Sequence, residues 1–483
     1  MRKPVSRACD ACRRRKIKCN GLQPCPACSS ASLICTFQEA QRKGGNQGAR
    51  ATVLNTIRDS QTGGPAQAST PFVSPGIIDA CIEVYLRNLH QIVPFLNREL
   101  LEYEARQTDR SLESRIFITS FCAYVVTSGN AFKSFFLVAD SDPEAKLGQI
   151  LVDQTLCILP PHRASSPTIR SVFVSFFLYG AFAGLGNYRQ GWFYLREATT
   201  LFMMCGKAPD NNLYSQEVSR RLFWVLLISE RAHAVRRNRP ITLHITPSSP
   251  RFDNVCDPPA LKHLADIFRP FDDDFFAVWN GSVQGCRKEW LLDFETKVRT
   301  ALPDSMQVSN EQAANLRISQ FWLRIKLWEL FPRFGFLSSA STHDCLTFRY
   351  PINVARDLLE TNLPIESLQI HGVGMTEKVF DVACALSDIL PFISTAPETF
   401  EGSLGYLRQL IALLAKLPYG SARFVPMLLT KVQELVPDRV SELCQNEQIP
   451  GPSNPSPLNI TTRHMYEEEV GTLYSHLRRG YAS

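Results

Sequence analysis

Six cysteines crowd the start of the chain as C-x2-C-x6-C-x5-C-x2-C-x6-C: Cys9, Cys12, Cys19, Cys25, Cys28 and Cys35. The spacing of the first three recurs in the last three, so the stretch is an internal duplication. Thiolates at i and i+3 of a short helix share one face and can hold one metal ion. Each half supplies three such sulfurs, whereas tetrahedral zinc takes four. Two zinc ions would need eight bonds from six sulfurs, so two thiolates must bridge. Symmetry singles out the first cysteine of each half, Cys9 and Cys25. Pro24 suits the turn that folds one half onto the other. A secreted disulfide knot would also use six cysteines, but no signal peptide precedes these. A ferredoxin-type cluster packs its cysteines more tightly, in a different order. The other nine cysteines are scattered without a second C-x2-C and read as reduced thiols of an intracellular protein.

The two halves differ in charge. Cys12 is followed by Arg13, Arg14, Arg15, Lys16, Ile17 and Lys18; Cys28 is followed by Ser29, Ser30, Ala31, Ser32, Leu33 and Ile34. Residues 1–43 hold ten Lys and Arg against two acids, a net of +8, while the whole chain is +6. The basic character is therefore local to the cysteine module. A charge run is ordinarily a solvated face, but this one is locked between metal ligands. Such a patch steers a protein to nucleic acid and makes binding salt-dependent.

The segment "ACDACRRRKIKCNGLQPCPAC" resembles the fungal binuclear zinc cluster of transcription factors in its spacings, its proline and its basic run. The resemblance implies two zinc ions held by the six cysteines and double-stranded DNA as partner. Members read a CGG-type triplet in the major groove with the fourth residue after the second cysteine and its neighbour, here Lys16 and Arg15. Lys or Arg donating to guanine is the commonest specific contact. Arg13, Arg14 and Lys18 then fall to backbone phosphates, which position without specifying, and Arg7 adds another.

The elements that position this module follow it. At 483 residues, 45% apolar and 20% charged, the chain has room for one small module and a large domain. We divide it into a zinc module over 1–40, a flexible linker over 41–74 and a helical domain over 75–483. The linker is rich in Gly, Gln, Ser and Thr, and Arg42, Lys43 and Arg50 are in reach of phosphate. Many family members dimerise there through a coiled coil. Here Val53, Leu54 and Ile57 give about one helical turn, too little for a stable zipper. From residue 75 apolar residues follow the period of 3.6, with helices expected near 77–89, 113–127, 144–158, 168–183, 190–205, 214–237, 283–300, 310–330, 376–392, 404–416 and 462–478. Strand signals are weak, and the fold class read is all-α. The uncharged run Ser171–Tyr188 reaches a membrane-span length, but its Gly, Ser and Asn make it a buried core helix instead.

"GWFYLREATTLFMMCG" and "RRLFWVLLISERAHAVRRNRPITL" resemble the middle homology region of fungal transcription factors, a helical regulatory domain. Arg196-Glu197 and Glu230-Arg231 read as ion pairs on or between helices. Arg236, Arg237 and Arg239 offer a second DNA contact, against the plainer reading of cations at a helix C-terminus. "FRPFDDDFFAVWNG" mixes acids and aromatics as activation segments do, although a packed loop is the plainer outcome. No catalytic motif is present, so an enzyme is not expected; the glycines of "AGLGNYRQG" lack the strand–turn–helix setting of a dinucleotide site. The resemblance implies a nuclear, pathway-specific regulator, expected to be an activator that contacts coactivators or the transcription machinery, to form any homodimer through its helical domain, and to have no membrane partner. The short chain favours control of a metabolite gene cluster, with sugar use as another pathway. A repressor, or a zinc adaptor that binds protein, is the alternative.

Overall fold

The computed structural model describes residues 8–14, 17–31, 35–36, 73–129, 143–205, 214–253, 257–303, 305–393, 397–439 and 443. Contacts divide the chain into two compact units, Met1–Thr70 and Pro71–Ser483. Among the described residues all regular structure is helical.

The first unit holds two short helices, α1 (Asp10–Arg14) and α2 (Pro26–Ser29). Each starts just after the first cysteine of its half. Pro26 sits in the first turn of α2, where its missing N–H costs nothing.

The second unit begins with α3 (Pro75–Arg87), α4 (Arg98–Arg106), α5 (Leu112–Thr127) and α6 (Pro143–Ile158). Then come α7 (Ile169–Gly184), α8 (Tyr188–Met204) and α9 (Gln216–Arg237). The middle of the unit holds α10 (Pro259–Phe268), α11 (Asp273–Trp279), α12 (Lys288–Arg299), α13 (Asn310–Trp328) and α14 (Leu330–Arg333). It closes with α15 (Tyr350–Glu360), α16 (Ile365–Gln369), α17 (Gly372–Ile393), α18 (Pro397–Lys416) and α19 (Val425–Leu435). Side-chain caps mark many starts: Asn97, Ser111, Thr168, Asn187, Ser215, Asp272 and Ser309 each accept a backbone N–H in the first turn of the helix that follows. Asn238, in the left-handed region at φ 52°, ends α9.

The uncharged run becomes α7, buried against α5 and α8. Phe173 and Phe177 meet Phe117, and Phe177 also meets Phe121 and Tyr124. Gly180 lets the two helices close: a Cβ there would lie 2.4 Å from the Tyr124 ring. No described helix is long and apolar enough to cross a membrane. Further on, α17 is the hub, packed on α13, α15, α18 and α19.

Several expectations need correction. Residues 283–287 lie outside α12, which starts at Lys288. α17 and α18 start earlier than expected, at Gly372 and Pro397. α4, α10, α15 and α19 were not foreseen; they are 9 to 11 residues long and sit between proline- or asparagine-marked breaks, so too few turns repeat the period. The acidic–aromatic stretch is packed as expected, but its Asp273–Trp279 portion is a helix, α11, and not a loop. Asp272 caps it, and Phe271, Phe275 and Phe276 are buried in the core. The expected terminal helix at 462–478 lies outside the described residues, as do Val53, Leu54 and Ile57.

Candidate metal centre and nucleic-acid interface

Folding of the duplicated halves brings all six cysteine sulfurs together. Two sets of four sulfurs lie within 4.8 Å of one another: Cys9, Cys25, Cys28 and Cys35, and Cys9, Cys12, Cys19 and Cys25. Both sets contain Cys9 and Cys25. The Sγ atoms of Cys9 and Cys25 are 3.8 Å apart, Cys12 and Cys25 3.5 Å, and Cys9 and Cys28 3.5 Å. Ligands at about 2.3 Å from a tetrahedral zinc stand about 3.8 Å from each other, so the donor set fits two such ions.

Backbone geometry favours thiolate at these sulfurs. The Cys9 N–H donates to Cys19 Sγ at 3.5 Å, and its counterpart, the Cys25 N–H, donates to Cys35 Sγ at 3.4 Å. The N–H groups of Cys12 and Gly21 add bonds to Cys9 and Cys19. Burial pushes the Cys12 thiol up to about 12 and raises Cys28 as well. A bound cation removes that obstacle, because a coordinating thiol is deprotonated outright.

The module is closed by residues outside the cysteine pattern. Asp10 N–H donates to the Thr36 carbonyl at 2.8 Å, and the Thr36 hydroxyl donates to Asp10 Oδ2 at 3.0 Å. The Gln23 side chain donates to the Cys35 carbonyl at 2.8 Å. Asp10, Gln23 and Thr36 carried no sequence signal; between the halves Gly21 takes φ 77°, which suits glycine.

Arg13 and Arg14 lie on α1, rooted at Cys12, and Lys18 is exposed beyond it. Arg7, Arg15 and Lys16 lie outside the described residues. Arg236 and Arg237 are not available as a second DNA contact. Arg236 pairs with Glu377 at 2.9 Å and Asp381 at 3.0 Å, and Arg237 pairs with Glu377 at 3.0 Å and lies over the Tyr188 ring. The expected interhelix pairing of the two Arg/Glu dipeptides is present. Arg196 reaches Glu230 on α9 at 3.1 Å, while Glu197 takes Arg163 and the Ser175 hydroxyl. Arg231 is buried and donates to the Phe271 carbonyl.

Residues 7–44 match the fungal Zn(2)-Cys(6) binuclear cluster domain. The first unit thus carries the zinc-cluster domain of fungal transcription regulators. The chain is 27% identical over 411 residues to the maltose fermentation regulatory protein MAL13 of Saccharomyces cerevisiae, covering 80% of this chain and 84% of that one. It is 21% identical to the probable sucrose utilization protein SUC1 of Candida albicans, over 80% and 79% of the two chains. The cluster alone is 58% identical over 40 residues to the transcription factor PDR1 of Candida glabrata, which is 8% of this chain and 4% of that one. The family holds two zinc ions per domain and binds DNA; its members are regulators and not enzymes.

Proposed function

We propose that this regulator reads CGG-type triplets through Lys16 and Arg15, with Arg7, Arg13, Arg14 and Lys18 on backbone phosphates. In this reading the six cysteines ligate two zinc ions, and Cys9 and Cys25 bridge them. The observation that carries it is the basic segment held between Cys12 and Cys19. α1, which starts beside Cys9, runs into the first two residues of this segment, and its counterpart in the second half is uncharged. The overlap of the two sulfur sets at Cys9 and Cys25 supports the bridging assignment. Residues 1–40 form the DNA-binding domain, 41–74 the linker and 75–483 the regulatory domain, with the middle homology region around 191–243. The names of the relatives favour sugar use over a secondary-metabolite cluster as the pathway controlled. We place the regulator in the nucleus, as an activator that engages coactivators or the transcription machinery.

The test is fluorescence anisotropy with a CGG-containing duplex and a scrambled one across a salt series. The expected outcome is tighter binding to the CGG duplex, with log affinity falling linearly in log salt. Equal binding to both, or binding that ignores salt, would turn the assignment toward a protein-binding zinc adaptor.

A further inference from the structure

The helical unit holds a partly open cavity of about 200 Å³ between α7, α9, α10, α13 and α17. That is room for about six or seven waters, below the usual size of a drug-like pocket, so a fitting ligand is small. Most of the wall is apolar, but polar groups converge on it.

Lys378 is the cation that lacks a carboxylate. Its Nζ donates to Ser319 Oγ at 2.7 Å and Asn315 Oδ1 at 3.4 Å, and no described carboxylate lies in ion-pair range. Burial lowers its pKa to about 8. Its neighbours Arg236 and Arg237, by contrast, are matched by Glu377 and Asp381. His371 shares a hydrogen bond of 2.8 Å with the Glu311 carbonyl through Nε2, which must therefore carry the proton. Its Nδ1 is then a pure acceptor, and it is buried without a partner. Burial holds that ring neutral, with its pKa near 4. Tyr179 and Ser229 are further polar residues of the lining. Buried polar groups are ordinarily satisfied, so this convergence marks a binding site and not a packing fault.

We propose that the cavity binds a small hydroxylated organic anion, its carboxylate or phosphate on Lys378 Nζ and a hydroxyl donating to His371 Nδ1. This depends on no part of the DNA-binding reading, since occupancy is measured without DNA. One unmatched cation selects an anion over a neutral sugar, and the acceptor-only imidazole selects a hydroxyl over a plain alkyl chain.

The experiment is isothermal titration of the full, zinc-loaded protein with lactate, glycerol 3-phosphate and glucose, each at millimolar concentration. At least one of the two anions should bind saturably, and which one does so tells carboxylate from phosphate. Lys378→Met should weaken that binding about tenfold or more, and Lys378→Arg should restore part of it. Gly374 lines the same cavity, and a Cβ there would meet nothing within 4 Å. Gly374→Leu should therefore add bulk at the cavity's open side in a folded protein and weaken binding, a second answer if Lys378→Met misfolds. Binding of glucose alone, binding of neither anion, or anion binding indifferent to both Lys378→Met and Gly374→Leu would overturn the proposal.

Discussion

Cys9 and Cys25 occupy equivalent places in the duplicated halves, and each belongs to both sulfur sets. A bridging sulfur serves two ions, so Cys9→Ser or Cys25→Ser should lose both zincs, whereas Cys12→Ser should spare the set built on Cys28 and Cys35. Native mass spectrometry reads this directly; one zinc retained in either bridging variant would refute the assignment. The basic residues separate by a different measure. Lys16→Ala should weaken CGG duplexes more than scrambled ones, by about 1–3 kcal/mol of discrimination. Arg13→Ala should weaken both alike and flatten the salt slope by about one unit. Equal losses on the two duplexes for Lys16→Ala would remove it as the base reader. The metal-binding residues were legible because ligand spacing is a local property of the chain. Asp10, Gln23 and Thr36, which close the module through backbone bonds, left no comparable mark.

Among the helices, α9 and α17 are joined by buried charge. Asp381 accepts from the Trp322 indole at 2.8 Å and from Arg236 Nη2 at 3.0 Å, and Lys326 stands 3.3 Å away. Positive charge from Arg236 and Lys326 overrides burial and holds the Asp381 carboxyl below its ordinary range. Removing it leaves the buried Trp322 indole without its acceptor and leaves Arg236 and Lys326 one carboxylate each, Glu377 and Glu329, so Asp381→Ala should cost about 1–3 kcal/mol. Urea denaturation of the full chain followed by circular dichroism checks this; a loss below about 1 kcal/mol would show that the cations find other partners. Long helices such as α7 and α9 were legible from length, since each carries an unbroken apolar run within 16 and 22 residues free of proline. α11 was not: its acidic start looks solvent-facing in sequence, yet Asp272 is a cap and the phenylalanines behind it fill the core.

For the whole molecule the open variable is assembly. One apolar turn at Val53, Leu54 and Ile57 is too short to hold two helices together in water. A fragment of residues 1–74 should therefore be monomeric and bind one triplet weakly, while the full chain self-associates through its helical domain. A symmetric dimer needs two triplets related by its two-fold axis, and a monomer needs one. Analytical ultracentrifugation decides the point: a stable dimer of the fragment at micromolar concentration would overturn this reading of the linker.

By itself the sequence determined the zinc chemistry, the side of the cluster that carries charge and the helical class, since all three rest on spacing and local composition. Tertiary structure alone decided which charges meet. Arg236 and Arg237 look like a basic surface in sequence, but Glu377 and Asp381 lie some 140 residues away and turn them inward. Lys378 and His371 showed no signal, because a half-buried cation without a carboxylate is defined by what fails to surround it, and that depends on how α9, α13 and α17 pack.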